Sequence, residues 1–293
     1  MGSLVGHVLP GLAFFLHALW HLFNQIKLHS LNPNTYISSP WFPTSKIRYM
    51  ELFYIMIGTS ISISMELFIG PAKHHPLDTD GTIPSNHLRN FEHALISMTF
   101  FTYATFAIIL DRIRSISPKL ADQQHGLTQL IGVIGLAQEF ILFHLHSADH
   151  MGLEGQYHWL LQLVIFVSLS TTIVGIGLPK SFLVGFVRSF SILFQGVWFV
   201  VMGYMLYTPQ FIPKGCSIND DDGHKEVICH TEEALYRAKS LVNIEFSWYL
   251  VLVTILCMLF YLILIRVYGK MDVQYSSLMK EEEEDEVESR KPV

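Results

Sequence analysis

The stretch YHWLLQLVIFVSLSTTIVGIGLPKSFLVGFVRSFSILFQGVWFVVMGYMLY, residues 157–207, decides the fold. It holds two apolar runs, 157–178 and 182–207, with only a tight turn at Pro179-Lys180 between them. Each run is long enough to cross a bilayer, which takes about 20 mainly apolar residues. Joined so closely, the two should form an antiparallel helical hairpin. Working outward, five further runs qualify: 5–27, 48–70, 89–111, 125–147 and 240–268. The expected fold is all-α, a polytopic membrane bundle of seven transmembrane helices. It divides into a seven-span domain, 1–269, and a polar, acidic cytosolic tail, 270–293, whose composition favours disorder.

Composition supports this reading. Of 293 residues, 51% are hydrophobic and 15% are charged, against roughly 25% charged in a typical soluble domain. Mean hydropathy is +0.37. The net charge of −6 is concentrated in the tail, where seven acids lie between Glu281 and Glu288. Without them the sum is +1, so no global field points to nucleic acid. Serine nucleophile elbows and phosphate-binding loops are also absent from the sequence.

Lys and Arg in the flanks set the expected orientation. With the tail in the cytosol, 13 of these residues fall on the cytosolic side and 6 on the other. An odd number of spans then puts the N-terminus in the lumen or outside. The first six residues lack the charged region of a cleavable signal peptide, and Gly6 breaks the myristoylation pattern. Cys257 lies inside the seventh span. Cys216 and Cys229 share the longest non-cytosolic loop, 208–239, where they could form a disulfide or, with His224 or His230, a metal clip. In the tail, Tyr275-Ser276-Ser277-Leu278 has the form read by endosomal sorting adaptors.

Fifteen histidines are the chemically informative feature, because an ionisable group inside a bilayer is costly and marks a functional hypothesis. Neutral imidazole lowers that cost and ligates metals. Sorted by depth, an outer tier gathers His7, Glu92, His93, His144, His146, Asp149, His150, Glu154 and His158, with Glu66 and Glu245 in the same half and Gln195 near the midplane. At about 100° per residue, Glu139, His146 and His150 share one stripe of span four. His93 aligns with Ser97, Phe100 and Ala104 on span three, while His158 and Gln162 form an i, i+4 pair. His144 points away from His146.

Three His with a carboxylate or water would make a zinc-like shell. The candidate ligands are His7, His93, His144, His146 and His158, supported by Glu66, Asp149, His150, Gln195 and Glu245. A deeper tier collects His17, Trp20, His21 and Asn24 on one face of span one, with Glu51 and His125 at the starts of spans two and four. Haem would need facing His pairs in both tiers, and only the outer tier offers them. Packing histidines, half wet at helix ends or hydrogen-bonded across helices, are the plain alternative.

Several of these motifs together resemble the transmembrane protein 45 family. They are Gly6-His7-Val8-Leu9-Pro10-Gly11, Glu92-His93-Ala94-Leu95, Phe143-His144-Leu145-His146 followed by His158-Trp159-Leu160-Leu161, and Phe194-Gln195-Gly196-Val197-Trp198-Phe199. Ser147-Ala148-Asp149-His150 and Glu154-Gly155 are similar to the plant-type version. The resemblance implies seven spans and residence in Golgi, endosomal or related membranes, such as the vacuolar or plasma membrane, and little biochemistry. Ser247-Trp248-Tyr249 lacks a His that animal members carry beside this Trp, which puts a ligand there in doubt unless Glu245 replaces it.

Three functions remain open at this point. A divalent metal, zinc first, could activate water for attack on a lipid ester or amide, with Glu92 or Glu139 as general base. The same groups could serve a proton-coupled carrier, although no internal repeat is visible. A receptor-like scaffold with a structural polar cluster is the third.

Overall fold

All seven apolar runs fold into helices. The structure, a computed structural model, describes residues 3–70, 75–116, 121–149, 152–221 and 224–289; side chains at 114–116, 121–122, 146–149, 220–221, 224–225 and 270–289 are outside that description. In chain order the helices are α1 (Leu4–Leu31), α2 (Met50–Ser64), α3 (Leu88–Ile116), α4 (Ala121–Asp149), α5 (Leu153–Gly177), α6 (Phe182–Tyr207) and α7 (Glu232–Ser289). Seven segments have the length and apolarity to cross a membrane, the last being Glu232–Gly269. The expected disordered tail falls on residues whose side chains lie outside the description.

Local chemistry sets the boundaries. Ser3 caps α1 by accepting from the Gly6 amide at 3.1 Å, and Ser181 caps α6 by accepting from Val184 at 3.4 Å, which satisfies amides that a helix start leaves without partners. The α5–α6 turn falls where Pro179-Lys180 predicts it. At the end of α2 the ladder widens into a π-type turn, Met65–Ile69, closed by Gly70 N–H donating to Met65 O at 2.7 Å. That extra residue per turn accompanies Glu66 facing inward, where it is buried.

The sequence reading missed one element. Cys216–Asp221 (β1) and His224–Cys229 (β2) pair as an antiparallel ribbon with Cys216 opposite Cys229. The two cysteines form a disulfide, so the metal-clip alternative has lost its thiols. Closing a loop of this length contributes about 3 kcal/mol through the unfolded chain. A Cys216→Ser/Cys229→Ser variant is expected to be cut faster by protease within 208–231 in the intact protein and to melt about 5 °C lower. The ribbon packs on α5, α6 and α7 and names the hairpin end of the bundle.

Trp198, Phe194, Leu161, Ile165, Met202 and Leu206 fill the core between α5, α6 and their neighbours. The partner that α1 packs on most extensively is α6. Their contact passes through glycine: a Cβ on Gly196 would meet Phe15 N at 2.5 Å, and one on Gly11 would meet Gly196 O at 2.8 Å. Outward faces are apolar instead of polar; Ile57 and Ile61 on α2, Phe166 on α5 and Val251, Ile255 and Leu259 on α7 are all exposed. A water-soluble protein rarely leaves so much apolar surface open, whereas helices in lipid satisfy their backbones internally and need no polar coat.

Candidate metal centre

The start of α2 faces the side of α1, and their polar residues meet there. His17 and His21 lie one turn apart on α1, on one face, with ring centroids 4.4 Å apart. Glu51, in the first turn of α2, is 4% exposed. Its Oε1 lies 2.7 Å from His21 Nε2 and 3.8 Å from His17 Nδ1. Its Oε2 accepts from Trp20 Nε1 at 3.0 Å and from the Phe42 amide at 2.8 Å. His17 Nδ1 is buried with no hydrogen-bond partner. Among the described residues, His17, His21 and Glu51 bring three ligand atoms within 4.8 Å of one another.

The segment 32–49 makes this meeting possible. It folds under the bundle at the end opposite the hairpin and is held there by side chains from four elements. Gln25 donates to Ser38 Oγ at 2.9 Å, and Tyr36 donates to Gln25. Arg188, buried on α6, donates to Ser38 Oγ at 3.1 Å and to Ser39 O at 3.2 Å. Tyr103 donates to Pro40 O at 2.6 Å. Arg48 makes a forked pair with Asp111 at 2.9 and 3.0 Å, a geometry suited to guanidinium and carboxylate; that bond raises the Arg48 pKa further. Burial likewise pushes the Tyr36 phenol above its ordinary value. A cavity of about 110 Å³ opens beside this segment, lined by Trp41, Arg48, Asp111, Gln124, His125 and Thr128 among others.

At the hairpin end the expected tier is present as a level but divides into pairs. His7, His93 and His158 are buried. His7 Nδ1 is 3.0 Å from Ser3 O, and its ring lies 6.4 Å from that of His158 and 5.1 Å from that of Tyr207. His158 Nδ1 is 3.0 Å from Glu154 O. His93 Nδ1 lies 3.8 Å from Glu66 Oε1, and Glu66 Oε2 accepts from Asn90 at 2.7 Å. The Gln195 amide donates to Glu139 at 2.6 Å and Tyr157 donates to Glu245 at 2.8 Å.

Glu92 and His93 border a crevice with Ile96, Leu142 and Phe143. His144 is exposed, and the side chains of His146, Asp149 and His150 are outside the description. The Ser97–Ala104 face of α3 does admit another helix closely: Ser97 donates to Ser62 on α2 at 2.8 Å and Ala104 is fully buried.

The deep set was visible in the sequence as a face of span one plus Glu51, but as depth alone. What joins them is the path of 32–49, which hydropathy does not encode. Asn24, on the same face, instead donates to Trp20 O at 2.8 Å.

Residues 125–262 match the model of a family described as a family of unknown function (DUF716). The motifs at 143–146, 158–161 and 194–199 lie inside that stretch. The chain is also 25% identical over 236 residues to Transmembrane epididymal protein 1A of the mouse (Mus musculus), an alignment spanning 76% of this chain and 72% of that protein. With its seven membrane-length helices, the chain is thus a multi-pass integral membrane protein similar to these relatives.

Proposed function

We propose that this membrane protein binds one divalent metal ion, zinc first among them, between His17, His21 and Glu51. One observation carries the reading: two imidazoles and a carboxylate converge, buried, with His17 Nδ1 unpartnered. Ligand atoms around a tetrahedral zinc stand about 3.3 Å apart, and the separations of 2.7 and 3.8 Å to Glu51 Oε1 straddle that value. Trp20 and the Phe42 amide already hold the other carboxylate oxygen, as outer partners of a ligand do. Three protein ligands leave a fourth position for water, the arrangement of hydrolytic zinc sites. A lipid ester or amide is the substrate class that a bilayer-embedded site would meet. Positive flanks and the disulfide favour a lumenal or extracellular hairpin end, hence a metal tier in the cytosolic half. Golgi or endosomal residence, with Tyr275–Leu278 as adaptor motif, belongs to the same proposal and rests on the sequence alone.

Elemental analysis of the purified protein tests the metal. About one zinc per chain is expected, lost in His17→Ala/His21→Ala and retained in His93→Ala/His158→Ala. Loss in the second variant alone would move the metal to the hairpin-end tier. Absence from every sample would leave both tiers to packing and proton handling.

A further inference from the structure

Glu139 on α4, Gln162 on α5 and Gln195 on α6 are 1%, 1% and 0% exposed, each inside a membrane-length helix. Gln195 Nε2 donates to Glu139 Oε1 at 2.6 Å. The remaining oxygens, Glu139 Oε2 and Gln195 Oε1, both lack a hydrogen-bond partner, as does Gln162 Oε1. A carboxylate oxygen and an amide carbonyl cannot donate, so an ionised Glu139 would hold a buried charge on a single hydrogen bond and leave two buried oxygens unfilled, which is costly. One proton on Oε2 removes the charge and turns an oxygen without a partner into a donor, while Oε1 keeps the hydrogen bond from the Gln195 amide. No cationic side chain among the described residues pairs with Glu139 that could do this instead.

The surroundings offer that proton a way out. Titratable groups on the neighbouring helices stand nearer the hairpin end: Glu92 and His93 on α3 border Phe143, His158 lies one turn from Gln162 on α5, and His7 on α1 sits 6.4 Å from His158. On α6 the groups toward that end are Tyr204, which is exposed, and Tyr207, which donates to Glu154 at 3.4 Å and packs against His7 at 5.1 Å. Gln195 is the polar group α6 presents at the level of Glu139. From the orphan oxygens of Glu139 and Gln195 and the titratable side chains that stand nearer the hairpin end, we infer that Glu139 is a proton-binding site, held as a neutral acid against Gln195 and exchanging its proton with water at the hairpin end. A carboxyl held this way acts first as an acid, not as a base, and it works independently of any metal.

Infrared difference spectroscopy of the full-length protein in lipid vesicles at neutral pH tests both parts. The native-minus-Glu139→Gln spectrum is expected to contain a protonated-carboxyl carbonyl band, which shifts down on transfer to D₂O. In Gln195→Leu the band should move to higher frequency, because the carbonyl loses its hydrogen bond. A difference spectrum containing carboxylate bands instead would overturn the neutral acid. A carbonyl band that stays unshifted after a day in D₂O would overturn the exchange.

Discussion

Gly196→Ala is expected to lower the stability of the bundle by about 3 kcal/mol, at the upper end for overpacking. That corresponds to roughly 5 °C in Tm for a chain of this size. The added Cβ would lie 2.5 Å from Phe15 N, 2.7 Å from Gly11 O and 2.9 Å from Phe15 Cα. All three are backbone atoms of α1, so no side chain can rotate aside and α1 must back away from α6. Close backbone approach through small residues is how helices gain contact in lipid, where no hydrophobic force drives them together. Gly58→Ala is the control. Nothing lies within 4 Å of a Cβ there, and alanine is the better helix former by up to ~1 kcal/mol, so Tm should hold or rise. Thermal unfolding of the detergent-extracted protein reads both variants, and equal effects would show that the α1–α6 contact is looser than described.

Glu51→Ala is expected to cost about 3–5 kcal/mol, the range for removing one partner from a buried charged network. The change strips acceptors from Trp20 Nε1, the Phe42 amide and His21 together, and each buried donor left unmade carries its own penalty. It also releases segment 32–49 at Phe42. Glu51→Gln keeps an amide oxygen for Trp20 and Phe42 and should recover most of the stability. The same Gln variant supplies a poorer metal ligand, so stability and zinc content should separate: Tm near that of the native protein, metal reduced. A Glu51→Ala protein that melts like the native one would mean the α1–α2 junction is held by something other than this carboxylate.

Hydropathy located the helices because in lipid one property, apolar length, decides whether a segment spans. The window 182–207 coincides with α6, while α7 begins at Glu232 instead of 240 because Glu232, Glu233, Arg237 and Lys239 extend the helix without extending its apolar run. The β-ribbon carries no such signal, since its strands are short and mostly polar and its ends are joined by two cysteines 13 positions apart. The candidate site was legible only as levels. Span position and orientation put His7, His93 and His158 at one depth, yet depth does not state which helices are neighbours or how each is rotated. His17, His21 and Glu51 meet because 32–49 brings α2 back against α1, and that path depends on long-range partners such as Arg188 and Tyr103.

The pairing of α1 with α6 also sets an order of events during synthesis. The 150 residues 32–181 separate the two helices, which at ~5–20 residues per second is on the order of ten seconds or more of translation. Through that interval α1 holds its glycine face and His7 without their final neighbours on α6. Helices α2 to α5 can assemble meanwhile by neighbour-to-neighbour contacts, but the widest face of α1 closes only when α6 has emerged. Maturation defects should therefore concentrate in substitutions that make the waiting face of α1 less tolerable to lipid.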